Sequence, residues 1–152
     1  MFLKSYGKFL VVAIIIFFIS CKKDDTGTID TGILQLSSVK VANDVFDLTA
    51  GASNTQMPVD MPFLITFTMA IETHTVADAV LITTAGNSLP IKFSYQNQNK
   101  TISAKPLVNL GNNTNYQLQI TGALLGAQKE TYPGITINFT TIQGSFNILS
   151  IQ

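Results

Sequence analysis

Apolar and polar side chains alternate with a period of two along most of the chain after residue 32. In one clear example, Tyr116, Leu118 and Ile120 alternate with Gln117 and Gln119. Alternation of this kind predicts strands that have one face in a core and the other in solvent. Seven segments show the pattern or are short apolar runs consistent with a strand: 34–41, 63–69, 79–83, 91–95, 101–105, 116–121 and 135–140.

Turn-forming residues separate these segments, for example at Gly111-Asn112-Asn113 and at Pro133-Gly134. The best helical candidate is a single turn at Thr75-Val76-Ala77-Asp78, in which the spacing of Thr and Asp is that of a capping box. We therefore predict an all-β fold, an immunoglobulin-like antiparallel β-sandwich of about seven strands over residues 33–142. The predicted core contains Phe67, Tyr116, Leu118, Ile137 and Phe139, and a domain of this length can bury it without disulfides.

The first 20 residues have the composition of an export signal. Lys4 and Lys8 precede an uninterrupted apolar run over residues 9–19, which is followed by Ser20 and Cys21. Charged, apolar and small-residue regions occur in this order in signal peptides. An eleven-residue helix rises only about 16 Å, roughly half of what a bilayer core requires, so we expect cleavage and not a permanent membrane span.

The end of this signal resembles the lipobox of bacterial lipoproteins, in which a Cys is diacylated and becomes the first residue of the mature chain. The matching residues are Phe18-Ile19-Ser20-Cys21. The resemblance implies a lipoprotein signal peptide over residues 1–20 and attachment to a membrane through lipid on Cys21, because several acyl chains together anchor a protein stably. Lys22-Lys23-Asp24-Asp25 resembles the signal that sends some lipoproteins to the outer face of the outer membrane. We therefore expect a lipid-anchored outer-membrane protein exposed at the cell surface, with residues 21–32 as a flexible linker.

Residues 143–152 are expected to form a tail. Within it, Ile148-Leu149-Ser150-Ile151-Gln152 aligns with Leu36-Ser37-Ser38-Val39-Lys40 of the first predicted strand. A repeated opening strand is typical of tandem modules, so one interpretation is that the tail begins a further module of a longer architecture. The other is that it pairs with an edge of the same sandwich.

The composition excludes several function classes. The nine basic residues are balanced by nine acidic ones, so the net charge is zero and nucleic acid is not an expected partner. With one Cys, one His and no Trp, the chain cannot form a disulfide framework, a Cys-rich zinc site or a tryptophan platform for sugars.

The titratable residues do not suggest catalysis or metal binding. His74 follows Glu72 and precedes Asp78, but no Gly-x-Ser-x-Gly elbow supplies a nucleophile. Three Asp residues have the wrong spacing for a calcium loop and lack a closing Glu, and we interpret two of them as turn caps near an edge strand. These residues are Asp44, Asp47 and Asp60, of which Asp44 and Asp47 are the expected caps. We predict no enzyme activity, no cofactor and no metal site.

Two Tyr side chains are candidate ligand contacts. Tyr95 and Tyr132 are the Tyr residues that remain after the signal and the predicted core are set aside, and exposed aromatic rings can stack on sugars. They support a second hypothesis, a glycan-binding accessory lipoprotein of a polysaccharide-uptake system. The alternative for Tyr132, which precedes Pro133-Gly134 in a long loop, is that its ring covers the end of the sandwich.

Five short segments within residues 58–142 follow one another in a recognisable order. They are Pro62–Met69, Val76–Ile82, Thr101–Pro106, Leu110–Tyr116 and Ile137–Thr141. Together they resemble the bacterial Ig-like domain of the S-layer SbsA type. At the turn before Tyr116 we also expect a tyrosine corner, with the ring in the core and the hydroxyl on the backbone.

The resemblance implies a spacer or accessory module of secreted and surface proteins, without an active site. The leading hypothesis is therefore a lipid-anchored cell-surface protein whose Ig-like domain is a non-catalytic spacer or interaction module, with a protein or glycan partner at the cell surface.

Overall fold

The computed structural model describes residues 33–144. The predicted signal peptide (1–20), the linker (21–32) with Cys21, and residues 145–152 of the predicted tail lie outside the described residues. Within the described part, no helix has the length and apolar character needed to cross a membrane.

Two five-stranded sheets make up the fold. The strands are β1 (Leu36–Val41), β2 (Asp44–Val45), β3 (Asn54–Met57), β4 (Phe63–Phe67), β5 (Val80–Thr84), β6 (Asn87–Ser88), β7 (Ile91–Gln96), β8 (Thr101–Pro106), β9 (Asn115–Ile120) and β10 (Ile135–Thr141). The first sheet has the order β2-β1-β4-β8-β7, and the second has the order β3-β10-β9-β5-β6. The prediction of an all-β, immunoglobulin-like sandwich is confirmed.

All seven predicted strands are present, and three short ones add to them. β2 and β6 have two residues each and pair with β1 and β5 as the second arms of hairpins. The β5–β6 hairpin turns at Ala85 and Gly86, which both have positive φ angles, 46° and 80°, as a tight hairpin turn requires. Strands of two residues are too short to show a period, so the sequence pattern could not predict them.

The core forms between the two sheets from the inward side of the alternating strands. The five predicted core residues are all buried, which confirms that prediction: Phe67 (2% exposed), Tyr116 (6%), Leu118 (0%), Ile137 (4%) and Phe139 (2%).

An aromatic cluster occupies one part of this core. The ring of Phe139 lies 5.2 Å from that of Phe63, 5.4 Å from that of Tyr116 and 5.7 Å from that of Phe46, measured between centroids. Aromatic pairs at such distances contribute about 0.5–1.5 kcal/mol each beyond the apolar area that they bury. Phe139 therefore links strands of both sheets, since Phe63 belongs to β4 of the first sheet and Tyr116 to β9 of the second.

The one helical turn differs from the prediction in its cap. α1 (Val76–Ala79) follows a 3₁₀ turn at Thr73–Thr75, so Thr75 has helical backbone angles where a capping Thr would be extended. The Thr75 hydroxyl donates to the carbonyl oxygen of Glu72 at 2.8 Å and caps no helical N–H. The predicted capping box is therefore wrong.

One strand pair is parallel, whereas the prediction was of an antiparallel sandwich. β3 pairs with β10 in parallel, with Asn54 opposite Phe139 and Met57 opposite Thr141. The buried Asn54 amide donates to the carbonyl oxygens of Asp47 (3.2 Å) and Asn138 (3.3 Å). Its oxygen accepts the Asp47 N–H at 2.8 Å. Asn54 thus joins the loop before β3 to the last strand.

The two ends of the described chain lie at opposite ends of the sandwich. Ile33 forms a bridge with Thr131, shortly before the start of β10. Just beyond the end of β10, the Ile142 N–H donates to the carbonyl oxygen of Met57 at 3.0 Å. Seven residues of extended chain span about 20 Å, so β10 alone separates the two ends by roughly that distance.

Candidate functional site

Tyr132 lies inside one end of the sandwich. The residue is only 6% exposed, and its ring meets that of Phe67 edge-on at 5.6 Å. Burial raises the pKa of its phenol to about 12. A sugar can stack only on an open ring face, so this burial speaks against Tyr132 as a ligand contact and favours the interpretation that the ring covers the end of the core.

Tyr95 lies on β7, an edge strand of the first sheet, and is 37% exposed. Its hydroxyl donates to the carbonyl oxygen of Thr73 at 3.0 Å, and partial burial raises the pKa of its phenol. Among residues 33–144 it forms no ring pair with another aromatic side chain. The two Tyr therefore do not share a platform, and a ligand contact at Tyr95 stays a prediction.

His74 belongs to a surface cluster of charged groups. Its Nδ1 lies 3.1 Å from Oε1 of Glu72, whose other oxygen accepts a hydrogen bond from Nζ of Lys129. That bond, with smaller contributions from the charges of Lys129 and His74, lowers the pKa of the Glu72 carboxyl. The His74 side chain is 70% exposed. A solvated imidazole of this kind lacks the water-excluded surroundings in which general bases usually act.

The Asp residues serve local structure. Oδ1 of Asp47 accepts the Thr49 N–H at 2.9 Å, and its hydrogen bonds to Thr49 lower the pKa of the Asp47 carboxyl. Asp44 lies in the edge strand β2. Over the described range 33–144, no three His, Cys, Asp or Glu side chains are close enough to hold a metal ion together. Asp44, Asp47 and Asp60 therefore do not converge on one site.

The predicted tyrosine corner is present. The N–H of Gly111 donates to the Tyr116 hydroxyl at 2.8 Å, while the Tyr116 ring stacks on Phe139 in the core. A Cβ at position 111 would lie 2.9 Å from Oγ1 of Thr114, so any other residue here would force the Thr114 side chain to shift. The buried Thr141 hydroxyl donates to the carbonyl oxygen of Gly111 and accepts the Thr114 N–H. The corner is thereby fixed to the end of β10.

A cleft of about 720 Å³ lies on the outer face of the second sheet. Its floor comes from the outward side chains of β5, β9 and β10, and its rim includes the β5–β6 hairpin. Register places these side chains in rows across the strands, because Gln117 pairs with Thr83 on one side and with Asn138 on the other. Every residue that lines the cleft is uncharged.

The amides of this face form a chain of hydrogen bonds. Nε2 of Gln119 donates to Oε1 of Gln117 at 3.1 Å, and Nε2 of Gln117 donates to Oδ1 of Asn138 at 3.1 Å. In the next row, the Thr140 hydroxyl donates to Oδ1 of Asn115 at 2.7 Å. We call this set of side chains the amide face; it comprises Thr83, Asn115, Gln117, Gln119, Asn138 and Thr140.

Most of these residues fall at outward positions of their alternating strands, but nothing in the sequence marks them as a site. The alternation of β9 and β10 predicts which side chains point outward. It does not predict which strand lies next to which, and only the register of β5, β9 and β10 brings the amides together. The signal that could have drawn attention to this face is the absence of charge at every outward position of β9 and β10.

The family model of the bacterial Ig-like domain matches residues 39–141. The chain belongs to the bacterial Ig-like domain family. The resemblance inferred from the five sequence segments is thus confirmed at the level of the family. Members of this family are typically non-catalytic, and no enzyme family was found. Among proteins with curated descriptions, no significant sequence match was found.

Solved structures of the bacterial S-layer protein SbsC are similar in fold to this Ig-like domain. The N-terminal part of SbsC aligns with 74% of the chain at 17% identity and a TM-score of 0.51. Two other structures, rSbsC(31-844) and SbsC domains 1-6, align with the same share at 18% identity and TM-scores of 0.50 and 0.51. The aligned region is 24% of the first of these chains and 14% of the other two. The chain therefore spans only a small part of their length, and at this identity the likeness concerns the fold.

Proposed function

We propose that this bacterial Ig-like domain is a non-catalytic spacer or interaction module, held at the cell surface by lipid on Cys21. The observation that carries the proposal is the position of residues 33 and 144 at opposite ends of the sandwich. A domain with this arrangement adds its full length to the distance between whatever is attached at its two ends. A domain whose ends meet would add little.

The predicted flexible linker, residues 21–32, would extend this reach. It contains two Gly and three Thr, and a flexible chain of this length would have a root-mean-square span of about 20 Å. Together with the sandwich, it would hold the end that contains residue 144 several nanometres from the acyl chains. The likeness to S-layer protein domains supports a surface location, because such proteins are surface-layer proteins by name.

The absence of catalysis is supported by the surroundings of His74, the only imidazole in the chain. Its side chain is mostly solvated, and neither the amide-face cleft nor the smaller one beside Asp47 includes it. The neighbouring Glu72 and Lys129 side chains pair with each other on the surface. Exposed ion pairs of this type contribute little energy and need no catalytic explanation.

Acylation tests the anchor directly. Cells that express the full chain are grown with an alkyne analogue of palmitate, and incorporation is measured on the purified protein. We expect the wild type and Ser20→Ala, which keeps a small residue before the Cys, to be labelled, and Cys21→Ala to be unlabelled. Equal labelling of Cys21→Ala would contradict the lipid anchor.

Surface exposure needs a second measurement on the same cells. We expect protease added to intact cells to degrade the labelled protein while a periplasmic control protein survives. Protection of the protein until the outer membrane is broken would contradict an outward-facing domain, even if Cys21 is acylated.

A further inference from the structure

We infer that the amide face is a binding site for an uncharged glycan chain. This role goes beyond that of a spacer, and it places glycan binding on a different surface from the two Tyr residues considered above. The cleft volume of about 720 Å³ lies within the usual range for ligand sites, roughly 300–1,000 Å³.

The chemistry of the lining favours hydroxyl-rich, neutral ligands. The amide face offers carboxamide groups of Gln and Asn together with Thr hydroxyls, which can both donate and accept hydrogen bonds. Sugar hydroxyls have the same double capacity. Because no Lys, Asp or Glu lines the cleft, a charged ligand would find no oppositely charged partner there, whereas an uncharged ligand needs none.

The hydrogen bonds within the face leave capacity for a ligand. Gln117 uses one amide N–H on Asn138, and Gln119 uses one on Gln117. A carboxamide has two N–H groups and an oxygen with two lone pairs, so each Gln retains a donor. The bond that Asn138 receives also fixes the orientation of its amide, which reduces the entropy lost when a ligand binds.

Repeated rows of side chains offer contacts to successive sugar residues of a chain. Rows of side chains cross β5, β9 and β10 at the strand spacing of about 4.8 Å, with Thr83, Gln117 and Asn138 in one row. Leu81, half-buried next to Gln119, adds an apolar contact for the C–H face of a sugar. An interface with a second protein copy would normally have an apolar centre, whereas the floor of this cleft consists mainly of amide and hydroxyl side chains.

The test uses the full chain in detergent and beads that carry a defined polysaccharide. Dextran, mannan and xylan serve as neutral probes, and polygalacturonate is the charged comparison. The double variant Gln117→Ala/Asn138→Ala removes two exposed amides from the cleft. The matched control, Gln35→Ala/Gln96→Ala, removes two exposed amides elsewhere, and Tyr95→Ala tests stacking on the first sheet. Thermal melts by circular dichroism establish that each variant is folded.

We expect the wild type, the control and Tyr95→Ala to bind at least one neutral polysaccharide, with affinity unchanged between low and high salt because no charges take part. The cleft variant should bind at least about fivefold more weakly, since each neutral hydrogen bond contributes a factor of a few. If the double variant does not fold, Thr83→Val removes a hydroxyl from the same row and should weaken binding in the same direction.

Four results would overturn the inference. They are no binding to any neutral probe, binding only to polygalacturonate or only at low salt, equal binding by the cleft variant and the control, and loss of binding in Tyr95→Ala alone. A change from dimer to monomer in the cleft variant without any effect on bead binding would assign the face to self-association instead. None of these results depends on acylation of Cys21, so the anchor proposal is tested separately.

Discussion

Removal of the Tyr116 hydroxyl isolates the contribution of the tyrosine corner. Tyr116→Phe keeps the ring and its stacking on Phe139 but deletes the acceptor for the Gly111 N–H, which lies 2.8 Å away. The net loss for such a hydrogen bond is about 0.5–1.5 kcal/mol, and a partly buried donor left without a partner adds to it. We therefore expect about 1–2 kcal/mol of destabilisation and a melting temperature lower by roughly 5–10 °C.

Tyr95→Phe is a matched control for this change. It also deletes one hydroxyl bonded to the backbone, here to Thr73 at 3.0 Å, but on a residue that is 37% exposed. Water can replace that bond, so we expect a change within about 0.5 kcal/mol. Both variants are compared with the wild type by urea unfolding of the full chain in detergent, followed by far-UV circular dichroism because the chain has no Trp.

The slope of the unfolding free energy with urea should be the same in all three proteins, because the surface exposed on unfolding is the same. Equal destabilisation by the two variants would show that the corner hydroxyl has no special role. An unchanged midpoint in Tyr116→Phe would refute the energetic argument entirely, since the hydrogen bond to Gly111 would then contribute nothing.

Three further predictions concern stability. Phe67→Ala should cost about 3–5 kcal/mol because it removes a buried ring that also contacts Tyr132; an unchanged melting point would remove Phe67 from the core. Burial holds the pKa of Tyr132 at about 12, above its ordinary 10.0. The stability that the neutral phenol contributes is therefore fully present below pH 10 and is lost as the pH rises towards 12. Urea midpoints at pH 9 and 11 should fall less in Tyr132→Phe than in the wild type, and an equal fall would contradict the assignment. Lys129 and His74 lower the pKa of Glu72 from its ordinary 4.5. The stability contributed by the ionised Glu72 carboxylate is therefore fully present above that pH and declines in more acidic solution. The difference between wild type and Glu72→Gln should therefore shrink in acid and in high salt, and a difference that grows in acid would contradict the pairing.

The long alternating strands could be predicted from the sequence because each strand, taken alone, shows which of its faces is buried by the alternation of apolar and polar residues. β4 and β9 show this directly, with every second side chain buried. β3 could not be predicted in the same way. Its burial pattern does not alternate, Gln56 has a φ of 62°, and the register with β10 shifts between Phe139 and Thr141. A bulge of this kind removes the period of two on which the prediction depends.

The candidate sites also differ in whether they depend on neighbouring residues or on residues distant in sequence. The hydrogen bond of the Tyr116 corner is local, over five positions, and could be inferred from the turn that precedes a strand. The burial of Tyr132 depends on Phe67, which is distant in sequence, so the sequence left two interpretations open. The amide face depends on the register of three strands, and its side chains look like ordinary solvated residues until that register is known.

The position of β10 has a consequence for the order in which the fold can close as the chain emerges. This strand is an interior strand of the second sheet, between β3 and β9, and it contributes Ile137 and Phe139 to the core. The contact between Asn54 and Asn138 spans 84 positions. In a chain that emerges from a translocation channel N-terminus first, neither the second sheet nor the aromatic cluster can close until residue 141 has emerged. If the chain is exported as the sequence predicts, such late closure would keep it unfolded during transport and leave folding to be completed on the far side of the membrane.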